Sequence, residues 1–402
     1  MKQIFVKMAP YTKLLALIFL TVAAFVYAMF QGGFVSWFLF YSFLPFSVYS
    51  LLLFFYPLRD FQVKRSIQSS QCKAGEELTI HLTLTRKFSF PLFYLIVEDV
   101  LPEKLSEHSG SNSHAVLFPW FRKERSLSYK ITNLIRGEHI FQDVSLKTGD
   151  LLGLVKKTLT LTSPGKILVL PQYENVYFKQ MEAYYEQGQM ASAIKMKRET
   201  IMVSGVRDYQ PGDRLSWINW KATAKKNEIM TKEFEERKSQ DVLIILDQKK
   251  SPVFEEMISI AASLAHSMIK KGIQTGLIGT VEMEKGFQIR GGETQKQKIL
   301  NWLAKIEDRS EVAFNKALEG RGKYFPSNLS FIIITSQLNR NSLNWFASFK
   351  ANRPATIYFV TTDSLQYEEM RALKETAALR GIHLLIISPG EWKQALAEVK
   401  RG

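Results

Sequence analysis

The chain has 402 residues, enough for two or three folded units, and 46% of them are hydrophobic, so it can bury real cores. Lysine and arginine outnumber aspartate and glutamate by 53 to 38, a surplus that suits nucleic acid, anionic lipid or an acidic partner and selects none of them. The single cysteine, Cys72, excludes an internal disulfide framework and points to a reducing compartment.

Residues 12–30 carry no charge after Lys13 and, at about 1.5 Å per residue, match a hydrocarbon layer of ~30 Å. A second uncharged run, 34–56, follows after only Gln31, Gly32 and Gly33; Pro45 inside it is tolerable because neighbouring groups satisfy the freed carbonyl. Residues 1–60 therefore read as a transmembrane helical hairpin. Lys2, Lys7 and Lys13 precede it, Arg59, Lys64, Arg65 and Lys73 follow it, and the turn has no charge, so the positive-inside rule puts both chain ends in the cytoplasm. Cleavage after Val26-Tyr27-Ala28, as in a signal peptide, would still leave the second run as an anchor.

From 61 to 172 the pattern changes to short alternating runs at 78–84, 92–97, 126–131 and 139–146, separated by Ala74-Gly75, Phe90-Pro91, a Ser-rich stretch at 106–113 and Arg136-Gly137. This predicts an antiparallel β-sandwich-like domain. His81, His108, His114 and His139 lack metal-ligand spacing and read as strand or loop residues.

Residues 173–240 form a junction. Its Gln210-Pro211-Gly212 predicts a turn, Asp213 an N-cap of a short helix, and 228–236 a strand. From 241 to 402, apolar strands at 242–247, 275–280, 331–335, 356–360 and 383–387 alternate with helical periodicity at 253–271, 294–306, 343–351 and 365–380. Runs such as 331–334 are apolar on both faces, as central parallel strands must be, and predict a doubly wound α/β domain. Ligands of such sheets bind at the strands' carboxyl ends, which here carry Asp247 to Ser251 and Thr335-Ser336-Gln337.

The junction resembles a bacterial family of membrane proteins known as domain of unknown function 58, marked by Arg-x-Tyr-x-x-Gly-Asp and then a spaced Ile and Trp ahead of a von Willebrand factor type A-like domain. The matching residues are Arg207, Tyr209, Gly212, Asp213, Ile218, Trp220 and Ala224. Asp150-Leu151-Leu152-Gly153-Leu154 resembles the family's Asp-Pro-Phe-Gly-Leu segment with Pro and Phe replaced, and Leu168-Val169-Leu170-Pro171 also matches. The resemblance implies a cytoplasm-facing adaptor working with a MoxR-type AAA+ ATPase in assembly or a chaperone-like role, with a transglutaminase-like membrane protein as a further partner.

Type A domains often hold Mg²⁺ or Mn²⁺ through Asp-x-Ser-x-Ser after the first strand and an aspartate after a central one; such cations demand oxygen ligands. Here Asp247 and Ser251 are in place, Lys249 replaces the first serine, and Gln337 stands where an acid is expected. The resemblance thus implies a degenerate metal position and no cofactor; the alternative is a divalent-metal-dependent adhesion-type module. Lys249 either pairs with Asp247 in place of an ion or points with it into solvent.

Two readings of the junction stand side by side. Arg207, Tyr209 and Asp213 form a hydrogen-bonded cluster presenting Trp217, Trp220, Lys221 and Lys225 as a docking surface; or Arg207 and Asp213 lock the turn while Ile218 and one tryptophan pack inward. Lys195, Lys197, Arg198, Arg214 and Lys226 add positive charge, but Glu199, Asp208 and Glu228 are interspersed and no nucleic-acid fold is legible, so a membrane surface is favoured over nucleic acid. The chain lacks GxxxxGK[ST], GxGxxG, HExxH, GxSxG and paired CxxC, so no catalysis is predicted.

Overall fold

The structure is a computed structural model that describes residues 2–69, 71–108, 113–176, 201–211, 213, 215–236, 241–281, 287–311, 314–319, 325, 329–351, 353–361 and 367–398. Two compact units divide the chain, Met1–Leu170 and Pro171–Gly402.

The first unit opens with α1 (Lys2–Gln31) and α2 (Phe34–Phe55), joined through Gly32 at φ +62°. Glycine tolerates that left-handed turn without a Cβ clash. The helices meet through small and polar groups: Thr21 Oγ1 donates to Ser47 Oγ at 3.0 Å, and Ala28, Ser36 and Ser47 are buried. Their other faces are apolar and open, with Phe19, Phe30, Phe34 and Phe55 exposed. Both are long and apolar enough to cross a membrane.

Beyond α2 lie β1 (Phe61–Ile67), β2 (Gln71–Lys73), β3 (Leu78–Arg86), β4 (Leu95–Asp99), α3 (Glu103–His108), β5 (His114–Leu117), β6 (Glu124–Ile131), β7 (Gly137–Gly149) and β8 (Lys156–Leu170). They form a three-stranded sheet, β1-β3-β6, and a five-stranded one, β2-β8-β7-β4-β5. Alternation decides which side chains go inward: Ile80, Leu82 and Leu84 of β3 share one cluster with Leu95 and Val97 of β4, Phe141 and Leu146 of β7 and Ile167 and Val169 of β8. Each such burial contributes about 1.5–3 kcal/mol. Leu53, Tyr56 and Leu58 belong to the same cluster, so the end of α2 is rooted in the β core.

The strands at 78–84, 126–131 and 139–146 lie within β3, β6 and β7. The strand expected at 92–97 starts only at Leu95, because Leu92 makes an isolated bridge to Trp120. One pairing departs from the antiparallel expectation: β2 runs parallel to β8. Arg65, read from sequence as a flanking charge of the hairpin, is instead buried in the core. Its guanidinium pairs with Asp99 at 2.5 Å, both side chains fully buried, and lies 5.2 Å over the Phe141 ring. Tyr129 donates to the same carboxylate at 2.6 Å, and burial beside Asp99 pushes its phenol far above the ordinary range.

The second unit begins with a ribbon of β9 (Ile201–Asp208) and β10 (Met230–Glu236), antiparallel, with α4 (Trp220–Lys226) between them. The α/β part follows as β11 (Asp241–Leu246), α5 (Phe254–Lys270), β12 (Thr275–Gly279), β13 (Phe287–Arg290), α6 (Glu293–Lys305), α7 (Phe314–Leu318), β14 (Leu329–Thr335), α8 (Arg340–Lys350), β15 (Ala355–Val360), α9 (Tyr367–Leu379), β16 (His383–Ile387) and α10 (Trp392–Glu398). Its six strands are ordered β13-β12-β11-β14-β15-β16 and all are parallel except the edge strand β13. Leu243, Ile245, Phe331, Ile333 and Ile357 pack with Leu343 and Phe346 of α8 and Ala377 of α9, while α5 packs along β11, β12 and β14. Every residue of β14, and of β11 after Asp241, is buried, as central strands with both faces covered require.

Candidate functional site

In this strand order the chain passes from β11 to β12 and β13 on one side and then crosses to β14 on the other, so the crevice at the carboxyl ends of β11 and β14 is the topological switch point. Asp247 stands there, 1% exposed. Both its oxygens are engaged: Thr335 Oγ1 donates to Oδ2 at 2.8 Å and the Lys249 N–H to Oδ1 at 3.1 Å. Burial pushes the Asp247 carboxyl up, against the smaller opposing pull of these two bonds and of the Lys249 charge. The Lys249 ammonium reaches past Asp247 to the next loop and donates to Gln337 Oε1 at 2.5 Å. Ser251 sets the following turn through a 3.4 Å contact from Val253 N–H.

The neighbouring residue is wedged in place. Gln248 donates its N–H to Thr280 Oγ1 at 2.9 Å and accepts Val281 N–H on Oε1 at 2.8 Å. A Cβ on Gly279 would collide with the Gln248 amide, so only glycine fits beneath it.

These residues do not fit a divalent ion. The carboxylate is covered and committed, and the charge spanning the two loops is an ammonium. A Mg²⁺ at about 5 Å from that ammonium would meet roughly 7 kcal/mol of repulsion at an effective dielectric constant of about 20. Among the described residues no three His, Cys, Asp or Glu side chains cluster as a metal site. The sequence placed Asp247, Lys249, Ser251 and Gln337 at this edge; the structure gives the Lys249 ammonium to Gln337 and only its backbone N–H to Asp247.

The junction is held by a second polar knot. Arg207 Nη2 pairs with Asp213 Oδ1 at 2.8 Å, and Gln210 N–H donates to Oδ2 at 3.0 Å. The Arg207 hydrogen bond first, then the Gln210 N–H, holds the Asp213 carboxyl below the usual range. Tyr209 joins through its backbone, donating to Ile229 O at 2.9 Å, and its hydroxyl is not part of the knot among the described residues. Gly212 and Arg214 lie outside the described residues, as do Lys195, Lys197, Arg198 and Glu199.

Asp213 locks the turn and does not cap the helix, contrary to the sequence expectation. A single 3₁₀ turn, Leu215–Trp217, intervenes, and Asn219 caps α4, its Oδ1 accepting Ala222 N–H at 3.3 Å. Asparagine suits that position because its short side chain folds back onto the first turn. The helix is fixed to β10 at both of Met230's backbone groups: Asn219 N–H donates to Met230 O at 2.8 Å, and Met230 N–H donates to Thr223 Oγ1 at 3.0 Å. Neither Asn219 nor Thr223 stood out in the sequence, because each bond closes over seven residues or more.

On this mount Ile218 is buried and bridges Thr231, Trp217 is half-buried, and Trp220 is 70% exposed. Lys221, Ala224 and Lys225 are exposed as well, and so are Leu215 and Ile229. The two sequence readings thus apply to different residues: Arg207, Asp213 and Ile218 build the junction, and Trp220 and Lys221 face outward.

Fold and site together define a two-unit protein with two span-length apolar helices, a β unit and an α/β unit whose switch-point loop is latched by lysine. The sequence profile described as "Protein of unknown function DUF58" matches residues 205–374. The chain is 36% identical over 381 residues to the "Uncharacterized protein YeaD" of Bacillus subtilis (strain 168), covering 94% of this chain and 96% of that one. The chain belongs to the DUF58 family. The chain bears a faint likeness to two solved structures, a non-cellulosomal cohesin of Archaeoglobus fulgidus (11% identity, TM-score 0.17, 31% of this chain and 97% of that one) and Cwp6 of Clostridium difficile (9%, TM-score 0.16, 85% and 55%).

Proposed function

We propose that this chain is a non-catalytic scaffold anchored in a membrane by its helical hairpin, with both chain ends cytoplasmic, that docks a protein partner through the face bearing Trp220 and Lys221. The β unit is read as sandwich-like. The α/β part is read as a von Willebrand factor type A-like domain, supported by its six-strand order with an antiparallel third strand. The observation that carries the docking role is the exposed Trp220 on a helix pinned at both ends of its first turn. Tryptophan is frequent among interface hot spots, and a rigid mount lowers the ordering cost of binding. The Lys249–Gln337 latch supports docking that needs no metal ion.

The partner class proposed is a MoxR-type AAA+ ATPase, with a transglutaminase-like membrane protein as second candidate, and no nucleic acid. The test compares pull-downs from native membranes in mild detergent between wild type and a Trp220→Ala, Lys221→Ala variant whose folding is checked by circular dichroism. Recovery of the ATPase by wild type alone supports both partner and face. Equal recovery by both keeps the partner and rejects the face; no ATPase with either rejects the partner.

A further inference from the structure

A cavity of about 570 Å³ opens in the first unit beside the end of α2, between the segment after the helix and the start of β8. Its walls carry Phe54, Leu58 and Leu154 together with three cations, Arg59, Lys156 and Lys157. Among the described residues none of the three is ion-paired with a carboxylate.

Lys157 is the innermost. Its ammonium donates to Phe54 O at 2.7 Å and Tyr56 O at 2.5 Å, which caps the last carbonyls of α2 where the helix dipole is negative. An ammonium has three donors, so one remains. Burial lowers the Lys157 pKa, because a desolvated charge without a counter-ion is unfavourable; a bound anion would relieve that.

The surrounding loops fix the level of the cavity along the helix. Asp150 accepts from Ser50 Oγ at 2.8 Å, and Ser50 lies five residues before the end of α2, about 7.5 Å along its axis. The turn that follows Asp150 therefore lies beside the last turns of the apolar helix, and it exposes Leu151 and Leu152. A second loop reaches the same level: Phe93 packs edge-on against Tyr49 at 4.5 Å and against Trp120 at 5.5 Å, with Trp120 and Phe121 exposed. Apolar and aromatic side chains gathered at the end of a membrane span mark the bilayer interface, where phosphate groups lie.

We propose that this cavity holds the headgroup phosphate of an anionic phospholipid, with Arg59, Lys156 and Lys157 facing the phosphate and Phe54, Leu58 and Leu154 facing the start of its acyl chains. The proposal rests on the bilayer placement given above. A free phosphate ion offers the same charge but leaves the apolar walls uncovered.

The test uses native mass spectrometry of the full chain in a neutral detergent, titrated with phosphatidylglycerol, phosphatidylcholine or inorganic phosphate. Wild type is expected to retain phosphatidylglycerol over phosphatidylcholine. An Arg59→Gln, Lys156→Gln variant, which leaves the capping Lys157 in place, is expected to bind phosphatidylglycerol about 25-fold more weakly, at roughly fivefold per cation. A control with the same charge change on exposed lysines of the second unit, Lys316→Gln, Lys374→Gln, is expected to bind as wild type does. Equal lipid binding by wild type and the cavity variant overturns the site, as does displacement of the lipid by millimolar phosphate. A carbonate wash of native membranes separates the two layers of the argument: release of the protein overturns the membrane placement and the lipid site with it, whereas retention with equal lipid binding overturns the site alone.

Discussion

Replacing Asp150 by alanine breaks the clasp between the hairpin and the β unit. The carboxylate, 3% exposed, accepts Ser50 Oγ–H and Val155 N–H, each at 2.8 Å. Hydrogen bonds to a charged acceptor contribute about 1.5–3 kcal/mol each, and a buried donor left without an acceptor costs about 1–3 kcal/mol. The Ser50 hydroxyl can turn to a carbonyl of its own helix, as helical serines do, so the Val155 N–H carries most of the penalty and the expected cost is about 3 kcal/mol. For a unit of this size each kcal/mol moves Tm by about 2–4 °C, so thermal unfolding of the full chain in detergent should begin about 6–12 °C lower. Asp150→Asn retains one acceptor and should fall between. In a double-mutant cycle Ser50→Ala should cost little once Asp150 is gone. An Asp150→Ala Tm within 1 °C of wild type, or full additivity of the two substitutions, would refute the clasp.

Three further outcomes follow from buried or paired carboxylates. Asp99→Asn leaves the fully buried Arg65 guanidinium without its counter-charge and should cost about 3–5 kcal/mol, whereas Arg65→Met, Asp99→Leu, Tyr129→Phe together should unfold nearer to wild type; urea titration of wild type, the single and the triple variant decides it. The Asp213 pKa is depressed, so its stabilising effect is present above the ordinary carboxylate range and is lost as pH falls through the lower folded value; the Gln210 amide NMR signal should move only below about pH 4, and a transition between pH 5 and 7 would contradict the knot. Asp247 has the opposite sign: its raised pKa means the ionised form is unfavourable in the folded state, a penalty absent at low pH and fully present above the folded value. Asp247→Asn should therefore unfold no earlier than wild type at pH 7, since an amide can donate to Thr335 Oγ1 while that hydroxyl turns to Gln337 O at 3.1 Å; a large fall in Tm would show the charge to be needed.

What was legible in the sequence had strong local periodicity. The two uncharged runs became α1 and α2, and the apolar runs at 242–247 and 331–335 became β11 and β14, because burial on both faces leaves an unbroken apolar string. Short or mixed segments were not legible. The edge strand β13 has four residues, and β9 carries Gly205 in its middle, which reads as a loop until β10 pairs with it. Long-range polar contacts were hidden as well: Arg65 looked like a flanking charge because Asp99 is 34 residues away and Ser163, whose carbonyl it also reaches, is 98. At the candidate site, position and identity were readable, but not that the Lys249 ammonium would choose Gln337, nor which of Trp217 and Trp220 would face outward. The first depends on a contact between loops 88 residues apart, the second on Asn219 and Thr223 holding the backbone of Met230.

Site-specific photocrosslinking at position 220 tests docking through the junction face most directly. With Trp220 replaced by benzoylphenylalanine in the full chain and native membranes irradiated, the account predicts a covalent adduct with an AAA+ ATPase at 220 and none when the same group replaces Leu379, which is 87% exposed in the second unit. An adduct equal at both positions, or none at 220 while the wild type still co-purifies its partner, would contradict it.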